Sequence, residues 1–415
     1  LTLSVDADKE QAVPTRPRVV FVSHYAPLVL AAGADIRTHR LLTGLSAEFD
    51  VTFVTFEPAG VDGRTVAPSE LAAAFPEISL VTAPPPRQRN KRAAQALTIA
   101  GHSSYTWGRW ATPAFRFVLR DAVKRVNPAI VHFNDLAVAL AGPVEAGLNV
   151  YSSQNVEHRV IRGAAEMTQG ARKLFALIEA PKTRLEEKRV WQAMDVCLAV
   201  SELDAATIRA GGSRRVEVCL VGTDPVRLYP PPRRAADDPF RLVFVGSSYH
   251  PNEHGIAWFI ERVLPAVRTA VPTVLEVVGM KPSRTLDAPG VVCTGQVPSV
   301  EPHYERAHAA IVPIFYGSGV RGKVVEAMAY GRPVVSTALG VEGLPVGPGM
   351  HYLRADDEDT FARALIELAE RLRSPAGDLI AMLRAARTLA ERHFWPSVVA
   401  DLVALYRRET DARGL

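Results

Sequence analysis

The sequence predicts an α/β protein built from two Rossmann-like, doubly wound domains that face each other across a central cleft. Three observations carry this. Short β-branched runs alternate with longer helical patterns over nearly the whole chain, as parallel sheets covered on both faces require. The strand runs are almost continuously apolar, which suits strands buried on both faces. A proline cluster, Pro230-Pro231-Pro232, with a polar stretch to Pro239, splits the runs into two series.

The first series comprises Arg18–Ser23, Val51–Phe56, Ile78–Thr82, Ile130–Phe133, Asn149–Ser152, Val196–Val200 and Val216–Val221. The second comprises Arg241–Gly246, Val274–Gly279, Val291–Gly295, Ala310–Ile314, Pro333–Thr337 and His351–Leu353. After Gly246 the residues Ile256, Phe259, Ile260, Val263, Leu264 and Val267 fall on one helical face, so they are core. The predicted division is a disordered leader over 1–16, a first domain over 17–225 and a second over 226–395. A final amphipathic helix, 396–415, carries Val398, Val399, Leu402, Leu405 and Tyr406 and is expected to pack back on the first domain. Ligands of doubly wound sheets bind outside the carboxyl ends of the strands, so the site is expected in the cleft.

Composition narrows the classes. The 415 residues are 48% hydrophobic and 22% charged, with a net charge of +4, an ordinary globular balance that does not call for nucleic acid. No apolar run approaches the roughly 18 residues of a membrane span. Cys197, Cys219 and Cys293 have no paired spacing, which points to a reducing, cytoplasmic setting with neither disulfides nor a metal framework. The dense basic run Arg87-Gln88-Arg89-Asn90-Lys91-Arg92 reads as a solvated loop; its functional alternative is a peripheral contact with an anionic membrane or a phosphorylated acceptor. It lacks the interleaved aromatic residues of a single-stranded nucleic-acid groove. Oligomeric state is not legible.

Residues 317–331 carry the most chemistry: Gly-Ser-Gly-Val-Arg-Gly-Lys-Val-Val-Glu-Ala-Met-Ala-Tyr-Gly. A glycine-rich turn between a strand and a helix offers unpaired backbone N–H groups and the positive end of a helix dipole, a setting for phosphate. Arg321 and Lys323 add cations within the first turn, and Glu326, lower on the helix, can accept hydrogen bonds from sugar hydroxyls. Gly317, Gly322 and Lys323 also satisfy most of a Walker A pattern, but Val324 stands where a hydroxyl would bind magnesium, which argues against an NTPase. His250 and His254 are four apart, but Pro251 intervenes and no acidic or thiol ligand completes a set, so no metal is expected.

These residues resemble the retaining glycosyltransferases of the GT-B fold, in particular the group-one class, family four of the carbohydrate-enzyme classification. The resemblance is strongest over 241–350, through Phe244-Val245-Gly246, Pro251-Asn252, Glu326-Ala327-Met328-Ala329, Gly331-Arg332-Pro333-Val334-Val335-Ser336-Thr337 and Gly340-Val341-Glu342-Gly343-Leu344. It is weaker over 18–225, through Gly33 with Arg37, Asn155-Val156-Glu157, Val200-Ser201-Glu202 and Gly222-Thr223-Asp224. It implies a nucleotide-sugar donor, UDP- or GDP-linked, on the second domain and a hydroxyl acceptor of small-molecule, lipid or glycan type on the first. It implies no further cofactor. Transfer would proceed by front-face displacement, in which the leaving phosphate takes the acceptor proton. A sugar-nucleotide epimerase and a non-catalytic nucleotide-sugar binding protein on the same scaffold are the alternatives.

Two departures from the family pattern shape the expected site. The first of the family's two glutamates, which contacts the transferred sugar, falls on Ser318; Glu326 keeps the second place and the ribose role. The family's diphosphate-binding Arg and Lys fall near Ser247 and His254, so Arg321 and Lys323 are expected to supply the charge. The expected donor contacts are Gly246, Ser247, His254, Ser318, Gly319, Val320, Arg321, Lys323 and Glu326. Asn134, through its backbone carbonyl, joins Arg321 and Lys323 as a catalytic contact. Gly33, Arg37, Trp107 and Gln154 are expected to meet the acceptor. His132 reads equally as a core histidine or a site residue, and Asp135 as a general base or a helix cap.

Overall fold

Two all-parallel sheets organise the protein. In the computed structural model, residues 16–28, 33–57, 68–86, 101, 103–166, 168–230, 233–235, 237–248, 250–279, 288–317 and 319–414 are described. The basic run 87–92, Ser318 and all but the last residue of the 1–16 segment lie outside them. The first sheet contains β1 (Arg18–Val22), β2 (Asp50–Phe56), β3 (Ser79–Ala83), β4 (Ile130–Phe133), β5 (Leu148–Ser152), β6 (Val196–Ala199) and β7 (Val216–Val218), in the order β3-β2-β1-β4-β5-β6-β7. The second contains β8 (Phe240–Val245), β9 (Thr273–Val278), β10 (Val291–Gly295), β11 (Ala309–Val312), β12 (Val334–Ser336) and β13 (Leu353–Arg354), in the order β10-β9-β8-β11-β12-β13.

Both sheets are doubly wound, so the predicted fold class holds. In each the chain moves outward from its first strand, then returns to the other side of that strand. The reversal falls between β1 and β4 in one sheet and between β8 and β11 in the other. A crevice opens at such a point because the connections leave in opposite directions. The central strands are buried throughout, as their continuous apolar runs require: β4 and β11 are buried at every position.

Two strand ends differ from the sequence pattern for visible reasons. β7 stops at Val218 because the carbonyls of Cys219 and Leu220 turn toward the Arg37 guanidinium, at 3.1 and 2.7 Å. β13 starts at Leu353 because residues 347–352 form a turn, with His351 N–H donating to the Gly347 carbonyl and Tyr352 bridging Pro348. The helical run after β8 is also interrupted. An α-helix, His250–Trp258, passes through a π-turn, Phe259–Val263, into a second α-helix, Leu264–Ala270. Pro265 lacks an N–H and its ring crowds the preceding turn, so the Leu264 N–H reaches back to Phe259 and the turn widens. All six residues expected on the buried face remain in the core.

The last helix, Trp395–Arg413, packs on the first domain. Trp395, Val398, Leu402, Leu405 and Tyr406 join the core beneath β1, β2 and β5. Gly44 lets it come close, since a Cβ there would meet Val399 at 2.5 Å. Tyr406 Oη lies 2.5 Å from His132 Nδ1, and the His132 ring stacks on Phe21. Burial pushes His132 down to about 3, so it is a neutral core histidine.

Arg37 is itself part of this frame. It is buried, and its two bonded nitrogens satisfy the carbonyls that end β7. The acceptor contact expected of it is therefore not open to it. Arg37→Ala would leave those carbonyls without a partner and should lower stability by about 2–4 kcal/mol, measured by urea denaturation.

Candidate functional site

The second sheet's reversal point brings the glycine-rich loop and the end of β8 together. The helix Gly322–Ala329 follows that loop and buries Val324, Val325, Ala327, Met328 and Ala329 against the β-sheet core. Val324 is fully buried among apolar neighbours, which leaves the Walker reading without its hydroxyl. Burying those residues orients the other face, with Lys323 and Glu326, toward the crevice. The N-cap residue, Arg321, supplies no side-chain acceptor to the first turn. The N–H groups there can serve an anion.

Lys323 reaches across the crevice to β8. Its Nζ donates to Asn252 Oδ1 at 2.6 Å and lies 4.3 Å from the Phe244 ring centroid. Gly246 provides the space, since a Cβ there would fall 2.9 Å from that Nζ and 3.0 Å from Asn252 Nδ2. Asn252 is fixed in turn by donating to the Ser247 carbonyl at 3.0 Å. The ammonium thus sits beside Gly246 and Ser247, where the family pattern would place its own cation. Burial, with the like charge of Arg321, lowers Lys323 to about 7. Glu326 is raised to about 7, chiefly by burial and further by Asp224, while accepting the Tyr304 hydroxyl at 3.0 Å.

The loop carrying the glycines touches the first domain. Gly319 has φ +85°, and a Cβ there would lie 2.1 Å from Asn155 Oδ1, so only glycine fits both the turn and the approach. Arg321 Nη1 donates to the Gly319 carbonyl and its charge is felt by Asp204, so this side chain braces the loop against the first domain. Val320 packs toward Gly343 and Ser247 keeps its carbonyl on Asn252. His254 sits edge-on to Phe315 and Tyr316, and burial pushes its ring down, so it is a neutral group. Ser318 lies outside the described residues.

On the first domain, the β1/β4 reversal point gathers Ser23, His24 and Asp135. His24 Nδ1 lies 2.9 Å from Asp135 Oδ2, with Trp110 tilted over the His24 ring at 5.0 Å. Asp135 also caps the helix Leu136–Ala139 through Val138 N–H, the helix-cap reading of the sequence. Asn134 is fully buried; its carbonyl accepts from Gln154 Nε2 at 3.2 Å and its amide donates to Thr38. The direct sugar contact expected of that carbonyl is therefore covered, and Gln154 is the partly exposed group in front of it. Trp107 packs against the core, 6.5 Å from the His24 ring. Among the described residues, a Cβ at Gly33 would meet nothing within 4 Å.

Several important residues escaped sequence reasoning. Asn252 was visible only as part of a Pro-Asn pair, with no role. The helix Gly170–Ala193 carries three buried carboxylates that tie down neighbouring segments. Glu179 accepts from Tyr105 and Thr106 N–H, Glu186 from Ser104, and Glu187 from the N–H groups of Glu157 and His158 and from His158 Nδ1. Burial and the Glu187 charge raise Glu157 to about 8.

Comparison with known proteins agrees with this geometry. Residues 239–371 match the family Glycosyl transferases group 1. A segment of 145 residues, 32% of the chain, is 26% identical to an uncharacterized 44.6 kDa protein in the cps region of Klebsiella pneumoniae; it covers 37% of that relative's length. Sucrose-phosphate synthase from Thermosynechococcus elongatus superposes with a TM-score of 0.68 at 18% identity, over 96% of this chain and 100% of the other. Anabaena Alr3699/HepE in complex with UDP does so with a TM-score of 0.61 at 11% identity, over 94% of this chain and 100% of the other. These likenesses show the two-domain GT-B fold over nearly the whole chain.

The Lys323 environment sets a pH dependence. Near pH 7 the free ammonium is partly deprotonated, and a bound diphosphate favours the charged form. Above pH 7, UDP binding should take up a proton, and affinity should fall with rising pH by up to about tenfold per unit until the bound-state pKa is passed. Calorimetry in buffers of different ionisation enthalpy checks this, with Glu326→Gln removing the second group that titrates near 7.

Proposed function

We propose that the protein is a retaining glycosyltransferase that moves a sugar from a nucleoside-diphosphate donor, UDP- or GDP-linked, to a hydroxyl acceptor. The observation that carries this reading is the placement of Lys323, the first turn of the helix Gly322–Ala329 and Glu326 around one crevice at the β8/β11 reversal. Lys323 and the backbone N–H groups of that first turn meet the diphosphate, whose charge grows as the sugar departs; preorganised donors stabilise that charge in the transition state. Glu326, turned from Tyr304, takes the ribose hydroxyls. The Anabaena neighbour has been solved with UDP and with UDP-glucose, which supports a nucleotide-sugar donor here.

In front-face displacement the leaving phosphate oxygen accepts the proton of the acceptor hydroxyl as the new glycosidic bond forms and the sugar–phosphate bond breaks. A second path for the proton is favoured by the His24–Asp135 pair: a histidine held at 2.9 Å by a carboxylate, at the first domain's reversal point, is built to act as a base. Among the described residues no group of three or more His, Cys, Asp and Glu could hold a metal ion. Among the same residues no helix is long and apolar enough to cross a membrane. We place the protein in the cytoplasm, with contact to an anionic membrane through 87–92 as an additional reading of that run.

A thermal-shift series with UDP-, GDP- and dTDP-sugars identifies the donor, because ligands of the native state raise its apparent stability. With that donor, Lys323→Ala and Glu326→Ala should each lower transfer at least about a hundredfold while the fold survives. Full activity in both would remove the assignment. Epimerised donor in the absence of acceptor would favour the epimerase alternative, and binding without turnover over a broad acceptor panel would favour the binding protein. His24→Ala separates the two proton paths: activity is retained in the first and lost in the second.

A further inference from the structure

A groove of about 790 Å³ opens beside the glycine-rich loop, within the range of about 300–1,000 Å³ usual for small-molecule sites. One wall is the helix Glu157–Glu166, which contributes Arg159 and Arg162. The facing wall is the helix Gly170–Ala193, which contributes Leu177 and Arg184. Tyr316 and Gly317 of the second domain close one end. The groove is continuous with the donor loop, because the first of these helices meets that loop directly: a Cβ on Gly163 would stand 3.5 Å from the Gly317 nitrogen.

Three guanidinium groups line this one groove, against the single lining carboxylate of Glu166. Among the described residues none of Arg159, Arg162 and Arg184 forms a salt bridge or a side-chain hydrogen bond. Asp204 feels the charge of Arg159 from the side, and His158, also on the lining, is occupied by Glu187. Arginine presents a planar fork that matches phosphate oxygens two at a time, and three such forks exceed the needs of one carboxylate. Solvated arginines on a convex face would imply nothing. These converge from two helices on a concavity that ends at the donor loop.

We propose that the groove binds a phosphate carried by the acceptor, on a free sugar phosphate or on the headgroup of a lipid. The inference rests on the donor reading above, which puts the transferred sugar at the loop that closes the groove. Its orientation follows: the phosphate lies between the two helices, and the nucleophilic hydroxyl points toward the Gly317 end.

The test titrates glucose 6-phosphate, glucose, dioctanoyl phosphatidic acid and UDP into the wild-type protein and into the double variant R162A/R184A. At least one phosphate should bind about tenfold or more tighter than glucose, and the double variant should lose about ten- to a hundredfold of that affinity, with UDP binding unchanged. Binding of glucose 6-phosphate assigns the phosphate to a soluble sugar, and binding of phosphatidic acid alone assigns it to a lipid. Phosphate binding no tighter than glucose, or unaltered in R162A/R184A, overturns the inference. Arginine-dependent phosphate binding without any UDP binding would uphold this groove and overturn the donor reading instead.

Discussion

The second domain depends on keeping one ammonium group at the mouth of its sheet with few partners. Lys323 exchanges water for one amide oxygen and the face of Phe244. Such a group is costly to keep charged, and the cost falls when an anion arrives. The surrounding residues follow from that need. Gly246 leaves room for the ammonium, Asn252 orients it, and the buried face of the helix Gly322–Ala329 fixes where it starts. In the reaction proposed above, a site arranged this way gains charge complementarity when a diphosphate binds, and gains most when that diphosphate carries extra charge as a leaving group.

The first domain uses carboxylates for the complementary task of holding loops. Glu179, Glu186 and Glu187 lie on the inner side of one long helix and accept N–H groups that would otherwise be unpaired at the starts of neighbouring helices. Because Glu187 fixes Glu157 and His158, it also fixes the adjoining Asn155, against which Gly319 of the other domain packs. The glycine-rich loop is thereby positioned from both sides: by its own sheet, and by a carboxylate on the opposite domain.

Much of this was legible in the residues. Parallel strands buried on both faces leave an unmistakable apolar run, so the two sheets could be read directly. The glycine-rich loop was legible because its backbone requirements restrict residue type. The helix Gly170–Ala193 was not: glutamates mixed with arginines and lysines look like a solvated surface, and only tertiary packing shows which are buried. Arg37 misled for a related reason. An arginine in a cleft-side segment suggests a ligand, but here the nearest acceptors are the carbonyls that end β7. Asn134 was placed at the correct strand end, yet its carbonyl faces Gln154, a long-range contact that no local pattern encodes.

The most direct test is a crystal structure of the protein with UDP. The arrangement described predicts the diphosphate in contact with Lys323 Nζ and with the backbone N–H groups at the start of the helix Gly322–Ala329, and the ribose hydroxyls on Glu326. A diphosphate seated elsewhere, with Lys323 still held by Asn252 and Glu326 by Tyr304, would contradict it.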